Sequence, residues 1–352
     1  MDSFHTRKMI GEFVHKHYSY LIDSSSMEVK VHFCLLIACY PEHILNSSEN
    51  QDSAADCFRF ILEGVNIKDE EAACLIQAAS KTLEILFERD SLSSFLVPYA
   101  MDTFRVLSEI FLDEEDNQYI LNLILEILER YELQILEQPD FLVDLMKTLA
   151  RKIEEGLKSE NYEDCEKFKI GRARNLLQSI FKKKQYILMV QDDLEQVTQP
   201  LLTLLQEIHI NDRQDVRKHQ DLITLIIPLL PAVKNLTQTL LINITQLSPL
   251  VIEITHSLSY LFSKLSDIIK DTNAIAEFNK NPETLQLLIK IVTKALHQKK
   301  SFERSELICQ GALLFQLIFQ YVDSLTEAHI ETILETTCQL LKTTVNPLIR
   351  VQ

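Results

Sequence analysis

The stretch EEAACLIQAASKTLEILFERDSLSSFLVPYAMDTFRVLSEIFLDEEDNQYILNLILEILERYELQILEQPDFLVDLMKTLARKIEEGLK, residues 70–158, decides the fold. It holds two units in succession. Each opens on an acidic turn, runs through an apolar helix, breaks at a polar turn and restarts near a proline. Those prolines, Pro98 and Pro139, lie 41 residues apart. Proline in a first helical turn loses no intrahelical hydrogen bond, because those N–H groups are unpaired in any case, so both mark helix starts. Between them the sequence predicts one helix over 116–135. In it Asn122, Glu126 and Glu129 recur at helical spacing, while Ile120, Leu121, Leu123, Ile124, Leu125, Ile127 and Leu128 fill nearly every other position. A helix with so little polar surface is packed on several sides. The helices after the prolines are more one-sided. Met101, Phe104, Leu107 and Phe111 share one face of the first, and Leu142, Leu145, Leu149 and Ile153 one face of the second.

A single hairpin cannot bury such faces, so neighbours must stack on both sides of it. Pairs of helices repeating at about 40 residues are the mark of HEAT-type arrays. The expected fold is all-α, an α-α superhelix of the HEAT or armadillo kind, running as one continuous α-solenoid over residues 1–352. Length by itself suggests about two domains, but a solenoid is quasi-one-dimensional and escapes that rule. Five glycines and nine prolines in a chain rich in Leu, Ile, Glu, Gln and Lys favour helix throughout.

Outward from the central stretch, a helical run through Phe13, Tyr20 and Leu21 is expected, then a second over Met27–Tyr40, a polar loop over Asn46–Ser53, and a helix from Ala54 to about Glu63. Phe4, Ile10, Phe13 and Val14 appear at once at the amino terminus, where a first hairpin would carry a polar outer face. Residues 155–166 have no apolar period and are expected to form an exposed loop between repeats. From Lys167 to Lys184 seven basic residues alternate with Ile170, Ala173, Leu176, Leu177, Ile180 and Phe181 at helical spacing, so the charges line the solvent side of a packed helix. Gln191–Ile208 is a helix that Pro200 kinks or divides. Asn211–Lys218 reads as a polar turn, and Leu222–Leu230 and Leu236–Leu247 as short apolar helices.

Asn281-Pro282-Glu283 starts a further helix with Leu285, Leu288, Ile289, Val292 and Leu296 inside. Ser301 caps the next, with Ile308, Ala312, Phe315, Phe319 and Val322 inward. Ser324 and Glu327 have capping-box spacing for a helix ending near Thr343, and Pro347 begins another. The whole is expected to be part of a longer array.

The charge balance is 35 basic against 51 acidic residues, a formal net charge of −16. Such a surface disfavours direct nucleic acid and anionic membrane and suits basic partners. The seven cysteines are scattered through apolar helices without a Cys-x-x-Cys, as reduced core residues are. No apolar run is long enough to span a bilayer. There is no glycine-rich phosphate loop, no Gly-x-Ser-x-Gly and no His-Glu-x-x-His. No catalytic residue, cofactor or metal ligand is therefore assigned, and no enzyme is expected. His15 and His17 are two apart on a helix and point in different directions. The acidic turn Asp113, Glu114, Glu115 and Asp116 lacks the ligand spacing and glycine of a calcium loop. It is a solvated turn favouring the following helix N-terminus, and these four residues are the candidate partner-binding site.

Four segments together resemble a known family. They are Glu70-Glu71-Ala72-Ala73 through Leu83, Phe95-Leu96-Val97-Pro98-Tyr99 through Leu107, Asn117 through Glu132, and Pro139 through Leu149. They resemble the carboxyl-terminal half of importin-β-type nuclear transport receptors (karyopherins), in the branch of importin seven and importin eight. Leu236–Leu258, with Leu247-Ser248-Pro249, and Asn281–Val351 are similar to later repeats of that branch, so the resemblance runs from about Cys57 to the end. It lies in hydrophobic spacing and turn placement. The tryptophan of the branch after its Ser-Pro is missing, as is its long acidic loop.

The resemblance implies a superhelix that carries basic cargo proteins in nucleocytoplasmic import and accepts phenylalanine-glycine repeats of nucleoporins. It implies work in the cytoplasm, the nucleus and the pore of the nuclear envelope. Ran GTPase is bound in that family through an amino-terminal region with no counterpart here, so Ran binding is expected only through such a region. The alternative is a generic HEAT-repeat scaffold subunit of another cytoplasmic complex.

Overall fold

The computed structural model describes residues 3–46, 50–113, 118–158, 164–207, 213–230, 232–233, 236–246, 255–270, 279, 281–297 and 304–343. Their regular structure is helical, with no strand among the described residues. The fold is all-α, of stacked helical pairs. Two compact units emerge, residues 1–145 with 165–179, and residues 146–164 with 180–352.

Unit 1 begins with α1 (Ser3–Ile22), α2 (Met27–Cys39), α3 (Pro41–Ile44), α4 (Gln51–Val65), α5 (Ala73–Phe87) and α6 (Ser93–Leu96). It continues with α7 (Ala100–Asp113), α8 (Gln118–Arg130) and α9 (Glu132–Leu136). Ser26 opens α2, its Oγ accepting from the Val29 N–H at 3.4 Å, which satisfies one of the unpaired donors of a helix start. The front layer is α2 on α5 and α5 on α8. Behind it stand α1 on α4, with α4 against α5 and α7 against α8.

The expected stripe of α7, Met101, Phe104, Leu107 and Phe111, is buried. So are Leu142, Leu145, Leu149 and Ile153 of α10 (Pro139–Lys158). Each such side chain contributes about 1.5–3 kcal/mol by leaving water. Aromatic rings fill the joints between pairs. Phe58 of α4 meets Tyr99 with centroids 4.8 Å apart, Phe95 at 6.0 Å and Phe87 at 6.5 Å. Gly11 lets α1 approach α3, since a Cβ there would stand 2.5 Å from the His43 carbonyl oxygen.

The chain continues through α11 (Asp164–Lys182), α12 (Lys184–Met189), α13 (Leu194–Glu207), α14 (Arg213–Ile226), α15 (Leu236–Gln246) and α16 (Thr255–Lys270). It ends in α17 (Pro282–His297), α18 (Arg304–Tyr321) and α19 (Glu327–Thr343). Unit 2 repeats the two-layer plan: α15, α17 and α19 pack in sequence as one row, and α14, α16 and α18 as the other.

Several expectations need correction. The helix expected over 116–135 stops at Arg130 and restarts at Glu132. Tyr131 leaves the helix, and its ring packs edge-on against Phe87 at 5.4 Å. The loop expected over 155–166 is helical at both ends, through Lys158 in α10 and from Asp164 in α11; residues 159–163 lie outside the described ones. The turn expected over Asn211–Lys218 is helix from Arg213 onward. Pro200 sits inside α13 without dividing it.

The cap of α19 is two residues later than expected. Thr326 Oγ1 accepts from the His329 N–H at 3.3 Å, and His329 Nδ1 from the Thr326 N–H at 3.4 Å. Phe319 is exposed, while Leu314, Phe315 and Ile318 are the buried side of α18. Cys34 and Cys57 are core residues, their thiols pushed up to about 12 chiefly by burial. Cys39, Cys74 and Cys338 are exposed. Ser301 and Pro347 lie outside the described residues.

Candidate functional site

In unit 1 the turn before α5 and the end of α7 share one edge, because Lys68 is paired with Asp113 at 2.9 Å. Asp69 Oδ1 accepts the Glu71 N–H at 3.0 Å, which folds the earlier turn on itself. Asp69, Glu71 and Asp113 all face solvent. Of the four candidate residues from the sequence, Asp113 is thus placed on this edge and already has a cation beside it. Glu114, Glu115 and Asp116 lie outside the described residues. Asp69, Glu71 and Lys68 join Asp113 here, and their only sequence signal is the acidic turn that opens each unit.

The opposite edge of unit 1 is stitched from pair to pair. Glu42 accepts from Arg89 at 2.6 Å and from Ser91 Oγ at 3.2 Å. Burial raises the pKa of the Glu42 carboxyl, but its backbone hydrogen bond, Arg89 and Ser91 together hold it below the usual value. The next residue, Asp90, reaches forward to Arg130 at 2.7 Å, and Arg130 also pairs with Glu126. Arg89 and Asp90 are therefore a two-ended connector, one turning back a repeat and the other forward. Unit 2 has stitches of the same kind in Lys147 with Asp193 at 3.4 Å and Lys158 with Glu207 at 2.8 Å.

Open grooves also mark the surface, among them these three. One of about 450 Å³ lies beside the Asp90 and Arg130 stitch, with Glu129, Glu132 and the exposed Leu133 on its walls. A second, of about 960 Å³, runs between α17 and α19 and carries Lys290, Lys294, His297 and His329, with Glu283 the one acid among the described residues lining it. It is a local cationic surface in an acidic chain, and the sequence reading missed it. Its signal was the recurrence of Lys290, Lys294 and His297 at helical spacing. The third, about 600 Å³ and mostly apolar, separates α1 from α2.

Two histidines are structural. His15 Nδ1 is 2.6 Å from Ser53 Oγ, whereas His17 lies against the Phe13 ring at 4.8 Å, so the two do not converge. His219 is buried between the carbonyl oxygens of Leu205, 3.2 Å from Nε2, and Asp215, 3.3 Å from Nδ1. Burial lowers its pKa against the pull of those carbonyls and the Asp215 charge. Among the described residues no group of three His, Cys, Asp or Glu is placed to hold a metal ion, and no helix is long and apolar enough to cross a membrane.

The class these features define is a helical-repeat solenoid of HEAT or armadillo character. No family model matches the sequence, and no curated protein matches it. Among solved structures, the chain is similar to the TSC2 N-terminus at 14% identity and a TM-score of 0.49, covering 94% of this chain and 88% of that one.

Proposed function

We propose that this chain is a protein-binding scaffold that works by association alone, its acidic turn edge capturing basic segments of partner proteins. The observation that carries this reading is the stacking of consecutive turns through Lys68 and Asp113, which aligns Asp69, Glu71 and Asp113 along one solvent-facing edge. Repeated weak contacts along such an edge add through effective concentration, and a negative field steers cations towards it. The sequence resemblance supports the narrower form, a nuclear transport receptor segment. In that form the partners are basic cargo proteins and phenylalanine-glycine nucleoporins, and the chain works in the cytoplasm, the nucleus and the nuclear pore. Ran is engaged only through an amino-terminal region of the kind the family carries.

The test is affinity capture from cell extract at low and at near-physiological salt, using the native chain and a variant with Asp69→Lys, Glu71→Lys and Asp113→Lys. Nucleoporins and basic nuclear proteins, lost as salt rises and lost in the variant, are the expected result. One salt-resistant cytoplasmic partner, retained by the variant, would replace the transport reading with that of a scaffold subunit in another complex. Equal capture of basic proteins by both chains would remove the acidic edge from the account.

A further inference from the structure

The groove between α17 and α19 is cationic in a chain of net charge −16. It opens between two neighbouring helices of one row, which meet where the Thr293 and Thr336 hydroxyls stand 3.4 Å apart. The side chains along it are short, Thr293 on α17 with Ala328 and Thr332 on α19, and the buried Ile289 gives it an apolar base. Side chains this short leave room above the helix contact, and about 960 Å³ stays open. An open trough of that size suits a length of polypeptide rather than a small molecule, which pockets enclose.

Lys290, Lys294 and His297 line the α17 wall at spacing i, i+4, i+7, and His329 stands on the α19 wall. Lys68, Lys147 and Lys158 are each paired with a carboxylate of a neighbouring repeat. Lys290 and Lys294, by contrast, have no anionic partner among the described residues. Lys294 and His297 sit in the last turn of α17, where a cation offsets the helix dipole; Lys290 lies nearly two turns earlier and answers no such need. His329 adds a donor: its Nδ1 accepts the Thr326 N–H at 3.4 Å, so the neutral ring carries its proton on Nε2. Glu283, the one acid among the described lining residues, stands about 10 Å of helix rise before Lys290. At that distance salt screens it from the lysines. Glu327, Glu331 and Glu335 are exposed on α19 but do not line the groove.

We propose that this groove docks an acidic segment of a partner protein, a stretch of chain whose Asp and Glu carboxylates meet Lys290 and Lys294 while an apolar side chain rests over Ile289. Charge complementarity selects that occupant. Lysines are point charges that pair with single carboxylates, and no arginine among the described lining residues offers a phosphate its two-pronged fork. A nucleic acid needs a longer run of cations and is repelled by the acidic remainder of the chain, whereas a short peptide segment meets the groove alone. The surface is opposite in charge to the acidic turn edge and belongs to the other compact unit, so its failure would leave that reading untouched.

Fluorescence anisotropy of the purified full chain with a labelled peptide of repeating Glu-Leu-Asp tests it, beside the same peptide with Gln and Asn in place of the acids. The expected result is binding of the acidic peptide at least ~10-fold tighter than of the neutral one, a margin that narrows as salt rises. The double variant Lys290→Gln with Lys294→Gln leaves the helical content unchanged by circular dichroism. It weakens binding of the acidic peptide by about 10-fold, as the loss of two solvated ion pairs does. Lys8→Gln with Lys68→Gln removes the same charge from unit 1 and binds as the native chain does. Equal binding of the two peptides by the native chain, which no folding defect of a variant can produce, would overturn the proposal. So would a test pair that binds as the native chain does, or a control pair as defective as the test pair. Displacement of the peptide by a single-stranded oligonucleotide at lower concentration than by unlabelled acidic peptide would also overturn it, and would assign the groove to nucleic acid.

Discussion

Phe58 is the side chain whose removal tests most directly how successive pairs are held. It is fully buried in α4 and touches three rings: Phe87 at the end of α5, Phe95 in α6, and Tyr99 just before α7. A phenyl side chain hides about 150–250 Å². Truncation to alanine exposes roughly 150 Å² of that, worth ~4 kcal/mol at about 25 cal/mol per Å². Residual burial in the unfolded chain lowers this to ~2.5–3.5 kcal/mol, while lost ring pairing and the cavity add ~0.5–1.5 kcal/mol. Phe58→Ala is therefore expected to cost about 3–5 kcal/mol, and Phe58→Leu, which keeps most of the volume, only about 1–1.5 kcal/mol. The chain has no tryptophan, so urea unfolding is followed by far-ultraviolet circular dichroism. Native-state hydrogen exchange locates the loss, which should be concentrated in α4, α5 and the turn at 90–99 because repeats depend on their immediate neighbours. A cost below ~1 kcal/mol for alanine, or a leucine variant as unstable as the alanine one, would refute the claim that this ring cluster joins the pairs.

Gly11→Ala reverses a familiar sign. Alanine in a helix normally gains up to ~1 kcal/mol over glycine, but here its Cβ meets the His43 carbonyl oxygen at 2.5 Å, so thermal unfolding should show a loss of about 1–3 kcal/mol. The Glu42 and Arg89 pair is partly exposed on both sides; a double-mutant cycle should give a coupling of about 0.5–1 kcal/mol that falls in ~1 M salt. His219 has a folded pKa below the unfolded value, so the unfolded chain takes up the proton first as pH falls. Its contribution is present above about pH 6.5 and is lost below it; His219→Gln should reduce the drop in urea midpoint between about pH 7.5 and pH 5.5.

The sequence told most where burial repeats along a single helix. Met101, Phe104, Leu107 and Phe111 recur at helical spacing because one face of α7 is inside, and one face is all that periodicity encodes. The same logic explains the misreading at Asn211–Lys218. The first turns of α14 are polar, and its apolar side begins only at Leu222 and Ile223, so a helix start looked like a turn. The cap at Thr326 was missed because Ser324 and Glu327 have the familiar capping-box spacing, whereas the residue answering the cap is a histidine. The acidic turn was visible, but its edge was not, because Lys68 and Asp113 are 45 positions apart and no local pattern pairs them. The same holds for Glu42 with Arg89 and for Asp90 with Arg130, at separations of 47 and 40. These contacts bridge one repeat, and the strength of each depends on the turn it leaves as much as on the pair.

That dependence bears on what the acidic edge can bind. Asp113 is engaged by Lys68, so an incoming cation at that carboxylate must share or displace an existing partner. Asp69 uses one oxygen to hold the Glu71 N–H, which leaves its other oxygen and the whole Glu71 carboxylate facing solvent. A basic partner therefore gains most from Asp69 and Glu71 and least from Asp113, although Asp113 belongs to the most acidic run of the turn. Exposed ion pairs contribute only about 0–1 kcal/mol each, so no single contact on this edge confers selectivity. Affinity has to come from several turns engaged by one partner, and it must fall steeply with salt because the charges are solvated. Reversing Asp69 and Glu71 should then weaken capture of basic proteins more than reversing Asp113, whose carboxylate is already engaged by Lys68. The opposite order would place the binding determinant in the turn after Asp113 rather than on the edge that Lys68 and Asp113 align.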